Sequence, residues 1–171
     1  MIDTDISYLP LNRHEAYTKE GFAGLCTSGT AIIEVFSVSH QISKNDIVTI
    51  LPLQRAMIRD ISDDFSMTFF RFDKAMFIDI MSSLGKITPD FFFYMRRKVS
   101  YSLSDSEVLR FLDYCNIIAF RINNDDPNYR NETVLHLLQI YFWDFYVSFL
   151  KEANGCSSYF ANSNKENIAI K

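Results

Sequence analysis

The first half of the chain alternates apolar and polar residues over short stretches that turn residues separate. Ser28-Gly29, Pro52 and Ser62-Asp63-Asp64 are examples of these turns. Several short strands at regular spacing, with little helix between them, are typical of an antiparallel barrel or sandwich. The pattern predicts five strands, at residues 22–27, 30–38, 46–51, 56–61 and 66–72.

The spacing of apolar residues becomes helical after Asp73. Residues 74–84 and 91–97 fit two short helices, and Ser104 with Glu107 forms a capping box that starts a third helix. A fourth helix is predicted from residue 129 to 153, because Asn154-Gly155 is a common end signal. The sequence thus predicts an α+β fold, with an N-terminal antiparallel jelly-roll β-barrel followed by C-terminal helices. The predicted regions are a polar arm (1–20), a β region (21–73), a helical region (74–153) and a polar linker (154–171).

The fourth predicted helix has two apolar faces. A broad arc contains Val134, Leu135, Leu138, Tyr141, Phe142, Phe145, Tyr146 and Phe149. A narrow seam, spaced like the a and d positions of a coiled coil, contains His136, Ile140, Trp143, Val147 and Leu150. A helix that lies on one domain needs a single apolar stripe. We therefore expect the broad arc to pack within the chain and the seam to pack on a second copy in a homodimer. The alternative is a central helix buried within one chain.

Composition and charge narrow the classes of partner. Sixteen phenylalanines among 171 residues indicate a large apolar interior, an apolar ligand cavity or an exposed contact surface. The formal net charge is −4, and the densest basic group is Arg96-Arg97-Lys98, so we expect no DNA binding by this chain alone. Three scattered cysteines fit a reducing compartment. With no signal peptide and no membrane-spanning stretch, we expect a cytoplasmic protein that does not contact membranes.

The residue patterns of common enzymes are missing. A cupin-type metal enzyme clusters two His and a Glu on one strand, with another His two strands later, whereas His14, His40 and His136 are isolated. The sequence has no Gly-x-Ser-x-Gly elbow and no cysteine near a histidine. We expect a non-enzymatic protein without metal or cofactor. A cupin-type metal-dependent enzyme is the first alternative, and a cyclic-nucleotide-type binding module, whose glycine-rich phosphate cassette the five glycines do not form, is the second.

Several segments resemble AraC-type transcription regulators, in a style closest to those of Bacteroides-like bacteria. In residues 40–52 a polar turn precedes an apolar strand that ends in Pro52, and residues 60–65 and 69–77 are similar to the next hairpin and the exit into the first helix. Residues 129–132 are similar to the start of the family's dimerisation helix. The resemblance covers about residues 20–153. It implies a cupin-like effector-binding domain, a helical dimer interface and two C-terminal helix-turn-helix units, which this chain lacks. DNA contact is therefore expected only through that missing domain of a parent protein.

In such a fold a small-molecule effector occupies the barrel interior, and the N-terminal arm can close over it. Strand alternation places Met67, Phe69 and Arg71 on one face. If that face points inward, Arg71 is a cationic group for a carboxylate or phosphate in an apolar pocket; otherwise it lies on a solvated face. The other candidate wall residues, which serve either as ligand contacts or as plain core, are Ile33, Val35, Val48, Ile50 and Met57.

Overall fold

Two antiparallel sheets face each other in the N-terminal part of the molecule. The computed structural model describes residues 2–85 and 88–166, with side chains described as far as residue 153. The strands are β1 (Ile2–Asp3), β2 (Ala16–Tyr17), β3 (Gly21–Ser28), β4 (Ala31–Val35), β5 (Val38–Ile42), β6 (Asp46–Ile50), β7 (Arg55–Arg59), β8 (Ser66–Phe72) and β9 (Ser100–Ser102). One sheet has the order β1-β8-β3-β6-β9, and the other has the order β2-β7-β4-β5. The predicted α+β class, with a jelly-roll-like pair of sheets, is confirmed.

Four helices follow the first eight strands in the described residues. They are α1 (Lys74–Ser83), α2 (Pro89–Arg97), α3 (Asp105–Asn124) and α4 (Pro127–Glu166). Asp73 and Thr88 cap α1 and α2 by accepting hydrogen bonds from the backbone N–H three residues later. The predicted capping box of Ser104 and Glu107 is present at the start of α3.

The five-stranded sheet is buried on both faces. Its inner face contributes Phe22, Val48 and Phe69 to the core between the sheets. Its outer face contributes residues such as Phe70 and Phe72 to a second core, which the helices cover. Burial on both faces explains why all five residues of β6 are buried, including Thr49, whose hydroxyl is hydrogen-bonded to the Tyr141 hydroxyl.

The strand predicted at residues 30–38 ends at Val35, where a tight turn leads into a further strand that was not predicted. β4 pairs with β5 in a hairpin whose turn residues, Phe36 and Ser37, have φ of 49° and 65°. Two consecutive positive φ angles are the signature of the type I′ turn that matches strand twist. Asn and Gly usually occupy these positions, and their absence here explains why the turn was not predicted.

The predicted polar arm, residues 1–20, contributes a strand to each sheet. β1 pairs with β8, opposing Ile2 to Phe70, and β2 pairs with β7, opposing Ala16 to Ala56. The unpredicted β9 extends the larger sheet beyond β6. These strands are only two or three residues long, so they are too short to display the alternation from which a strand is predicted.

Helix α4 continues beyond the predicted end at Asn154-Gly155. The backbone is helical to Glu166, so residues 154–166 are not the loop-like linker that their polarity indicated, and residues 167–171 lie outside the described residues. One glycine inside a helix costs about 1 kcal/mol relative to alanine. That cost is small beside the burial of the preceding turns, so glycine alone does not end the helix.

Candidate functional site

Arg71 lies on the inner face of β8. It follows Met67 and Phe69 at the alternation of a strand, and both of these residues belong to the core between the sheets. Of the two predicted orientations of this face, the structure has the one that points inward, between the sheets. The Arg71 Nη1 atom donates a hydrogen bond to Glu20 Oε2 at 3.0 Å, which forms an ion pair between β8 and the residue just before β3.

The space between the sheets, which was predicted to hold a ligand, is closely packed around the candidate residues. Ile33, Val35, Met67 and Phe69 are all buried in one core cluster. A Cβ atom on Gly24 would lie 2.6 Å from Met67 Sδ and 2.8 Å from Phe69 Cβ, so only glycine fits there. A ligand could enter this core only if these side chains moved. Without such movement it would have to bind at the edge of the core.

Met57 does not face this core. In β7 the buried residues are Ala56 and Ile58, whereas Met57 alternates with them and pairs with Glu34 on the outer face of the smaller sheet. The expected wall position at Met57 is thus corrected to Ile58, whose partner across the sheet is Ile33. Met57 was predicted to face inward because it is apolar, but its neighbours Ala56 and Ile58 are apolar too, so apolar character alone does not identify the inward face of β7.

The packing ends at a cavity between Arg71 and the N-terminal arm. This arm cavity has a volume of about 330 Å³. Its lining residues are Leu9, Pro10, Leu11, Asn12, Tyr17, Thr18, Lys19, Glu20 and Arg71. Only Arg71 among them belonged to the predicted ligand site, and the arm's lack of a clear period is why the others were missed.

The lining of the arm cavity is mixed, with apolar side chains at Leu9, Pro10 and Leu11 and charged ones at Lys19, Glu20 and Arg71. The arm is held by an ion pair between Arg55 and Glu15 at 2.9 Å and by the hydrogen bond that the Thr18 hydroxyl donates to the Leu51 carbonyl at 3.1 Å. A guanidinium in the same cavity as Leu9 and Leu11 suits an organic anion with an apolar body, because the arginine fork can bind a carboxylate with two parallel hydrogen bonds. In the structure Glu20 supplies that carboxylate.

The two faces of α4 differ in burial as the sequence predicted. Val134, Leu138, Tyr141, Phe142 and Phe145 of the broad arc are buried against the larger sheet and the other helices. In the seam, by contrast, the exposed fractions are 51% for Ile140, 45% for Trp143 and 40% for Leu150. His136 is also exposed, with its Nδ1 atom 2.9 Å from Gln139 Oε1, and Val147 is partly exposed. The seam thus lies on the surface of a single chain, which corrects the alternative of a fully buried central helix.

Helix α3 also exposes large apolar side chains. Leu109, Ile117 and Phe120 are each at least half exposed. Their spacing of eight and three residues places them on one side of α3. This second stripe was visible in the sequence, but the stronger buried stripe of the same helix masked it.

The described histidines and cysteines lie apart from one another or are buried. Within residues 2–85 and 88–153, no three His, Cys, Asp or Glu side chains come together in a way that could hold a metal ion. His14 and His136 are exposed, and burial lowers the pKa of His40. Burial raises the pKa of Cys26 to about 11 and that of Cys115 to about 12, so both thiols stay protonated and weakly nucleophilic at neutral pH.

In the described part of the chain, none of the helices combines the length and the apolar character that crossing a membrane requires. No protein-family model matches the sequence, and no curated protein does so either.

Comparison with solved structures identifies the fold. An apo ToxT variant from Vibrio cholerae strain SCE256 matches 90% of this chain and 53% of its own, with a TM-score of 0.53 and 14% sequence identity. Wild-type ToxT from that strain, bound to an unsaturated fatty acid, matches 89% of this chain and 51% of its own, at 12% identity and a TM-score of 0.46. An oxalate decarboxylase variant from Bacillus subtilis matches 57% of this chain and 24% of its own, at 11% identity and a TM-score of 0.32. This chain therefore spans about half the length of the ToxT chains and shares the fold of that half.

Proposed function

We propose that this chain is the effector-sensing and dimerising domain of a bacterial AraC-type transcription regulator. The fold that it shares with part of ToxT, an AraC-family protein, supports the proposal, as do the AraC-like segments of the sequence. A shared fold is compatible with many functions. The observation that carries the proposal is therefore the exposed seam of α4, on the face opposite the buried broad arc.

The seam has the character of a protein interface. Ile140, Trp143, Val147 and Leu150 follow each other at coiled-coil spacing. Exposed apolar patches on soluble domains mark contact sites, and tryptophan is enriched where binding energy concentrates. The apolar stripe on α3 exposes Leu109, Ile117 and Phe120 in addition. A second copy of the chain, packed across a two-fold axis, would cover the seam.

Light scattering on wild-type protein and on the double variant Trp143→Asp with Leu150→Asp tests this proposal. We expect a wild-type mass of about 40 kDa, twice the 19.9 kDa of one chain, and a folded monomer for the variant. Ile78→Asp with Phe93→Asp is the matched control, since these two residues are similarly exposed on α1 and α2. A monomeric wild type at high micromolar concentration contradicts the dimer, and equal dissociation of the control contradicts the assignment to the seam.

The arm cavity is the proposed effector site. An effector with a carboxylate and an apolar body would replace Glu20 at Arg71 and place its body against Leu9 and Leu11. Because β2 and the ion pair between Arg55 and Glu15 tie the arm to the smaller sheet, an occupied cavity would shift the equilibrium between positions of the arm. Domains attached to the two α4 helices would respond to that shift.

In this proposal the chain binds an effector without catalysis, and a separate DNA-binding domain of the regulator contacts DNA. Metal analysis of the purified protein is the corresponding test. We expect no stoichiometric metal, and a bound iron, manganese or zinc ion would favour a cupin-type enzyme instead.

A further inference from the structure

A second cavity lies between α3, α4 and the end of β9. It has a volume of about 170 Å³ and shares no lining residue with the arm cavity. For comparison, an apolar cavity of about 150 Å³ holds one benzene molecule. The cavity, which we term the α3–α4 groove, is therefore of the size of a single aromatic ring.

The floor of the α3–α4 groove is aromatic. Tyr101, Phe111, Tyr141 and Phe145 line it. The ring centroids of Tyr101 and Phe145 are 6.2 Å apart in an edge-to-face arrangement, and those of Tyr141 and Phe145 are 6.5 Å apart. Aromatic rings pair favourably with a further ring in such offset or edge-to-face geometries. The floor thus favours a planar aromatic group over an aliphatic one of similar volume.

The rim of the groove presents opposite charges side by side. Arg110 Nη1 lies 3.9 Å from Asp144 Oδ2, which is too long for a hydrogen bond, and Lys151 lines the same rim. The fourth charge, Glu107, is already engaged, because it accepts hydrogen bonds from the Ser104 N–H at 2.8 Å and the Ser104 hydroxyl at 2.6 Å. The rim therefore offers a carboxylate and two cations that are weakly committed within the chain.

One buried hydroxyl in the groove wall has no hydrogen-bond partner among the described residues. It is the Oη atom of Tyr114. A buried hydroxyl without a partner is costly, and native structures rarely leave one. Burial, together with the nearby Asp144 carboxylate, raises the pKa of Tyr114, so this hydroxyl is a proton donor at neutral pH. A ligand with an acceptor group would satisfy it.

We propose that the α3–α4 groove binds a free aromatic α-amino acid. The ring lies on the floor formed by Tyr101 and Phe145, the ammonium pairs with Asp144, and the carboxylate pairs with Arg110 and accepts a hydrogen bond from Tyr114. A zwitterion fits the rim better than a simple anion or cation, because each of its charges meets an opposite charge. Val147 belongs to both the groove and the seam, so the ligand would sit beside the proposed interface. The proposal nevertheless holds for a monomer and goes beyond the effector site at Arg71.

Titration of the ¹⁵N-labelled protein with L-phenylalanine, followed by amide chemical shifts, tests the proposal. We expect saturable shifts confined to residues around the groove. 3-Phenylpropionate lacks the ammonium, 2-phenylethylamine lacks the carboxylate and L-leucine lacks the ring, and each should bind at least about tenfold more weakly. No saturable shift with L-phenylalanine, or equal affinity for 3-phenylpropionate, would overturn the proposal.

Substitutions in the groove separate direct contact from general destabilisation. Tyr114→Phe removes only the hydroxyl and should weaken L-phenylalanine binding about fivefold, the equivalent of one ordinary hydrogen bond. Asp144→Asn should weaken it about tenfold. Tyr129→Phe and Asp113→Asn are matched controls at exposed positions outside the groove, and both should bind as wild type does. Unchanged affinity in Tyr114→Phe and Asp144→Asn would overturn the assignment to the groove.

Discussion

At the scale of single residues, Arg71 marks the boundary between a packed core and a cavity. Its neighbours along the inner face of β8, Met67 and Phe69, are fully buried, whereas Arg71 reaches Glu20 at the wall of the arm cavity. A guanidinium in this position keeps its charge hydrated or paired while its alkyl stem covers apolar surface. In the proposed effector site, the Glu20 carboxylate occupies the position at Arg71 that the carboxylate of an effector would take.

If the carboxylate of a ligand such as decanoate replaces Glu20 as the partner of Arg71, substitutions of these two residues should affect decanoate binding in opposite directions. Arg71→Met should weaken decanoate binding about tenfold or more, since a hydrogen bond to a charged group contributes roughly 1.5–3 kcal/mol. Glu20→Gln should strengthen it, because the competing carboxylate is removed. Isothermal titration calorimetry measures both effects.

Arg55→Met is the control for this comparison. Arg55 also pairs with a carboxylate of the arm, Glu15, but it does not line the arm cavity. Its variant should bind decanoate as wild type does. If the Arg55 and Arg71 variants lose decanoate affinity equally, Arg71 acts only by holding the arm in place and does not contact the ligand. If the wild type does not bind decanoate, the proposal that the arm cavity binds an apolar carboxylate is wrong.

At the scale of elements, length decides what the sequence predicts. β8 was predicted with its observed bounds, and β3, β6 and β7 within one or two residues, because each is five or more residues long and alternates or stays apolar. The two-residue strands β1 and β2 contain too few positions for a period, and tertiary pairing alone creates them. The turn between β4 and β5 was missed for a different reason, since Phe36 and Ser37 are not the residues that favour positive φ.

The strain in this turn predicts a stabilising substitution. Ser37→Gly should raise the free energy of unfolding by about 0.5–1 kcal/mol, because glycine adopts φ near 65° without the steric cost that serine has. Urea denaturation measures the change. Ser39→Gly, in the strand β5 that follows, is the control and should lower stability, because glycine weakens a strand interior. A Ser37→Gly variant that is less stable than wild type would show that the turn is not strained.

At the scale of the whole molecule, the sequence predicted the succession of strands and helices more closely than it predicted the position of a cavity. Ile33, Val35, Met67 and Phe69 do come together, since strand alternation places them on facing inner surfaces. Their interior is filled, and the cavity lies instead beside Arg71, where the arm folds back. A cavity forms where elements that are distant in sequence leave space between them, and the local spacing of apolar residues contains no information about such tertiary packing. The seam was accessible to sequence reasoning because one helix carries all of it.

The central claim is that the seam of α4 packs on a second copy of the chain, and the seam itself contains a fluorescent reporter of this contact. Trp143 is the single tryptophan of the chain, and 45% of it is exposed in one chain. The most direct measurement is iodide quenching of its fluorescence as a function of protein concentration. The dimer predicts that Trp143 becomes shielded, with a blue-shifted emission, as concentration rises. An indole that iodide quenches equally at every concentration, with unchanged emission, would contradict the account.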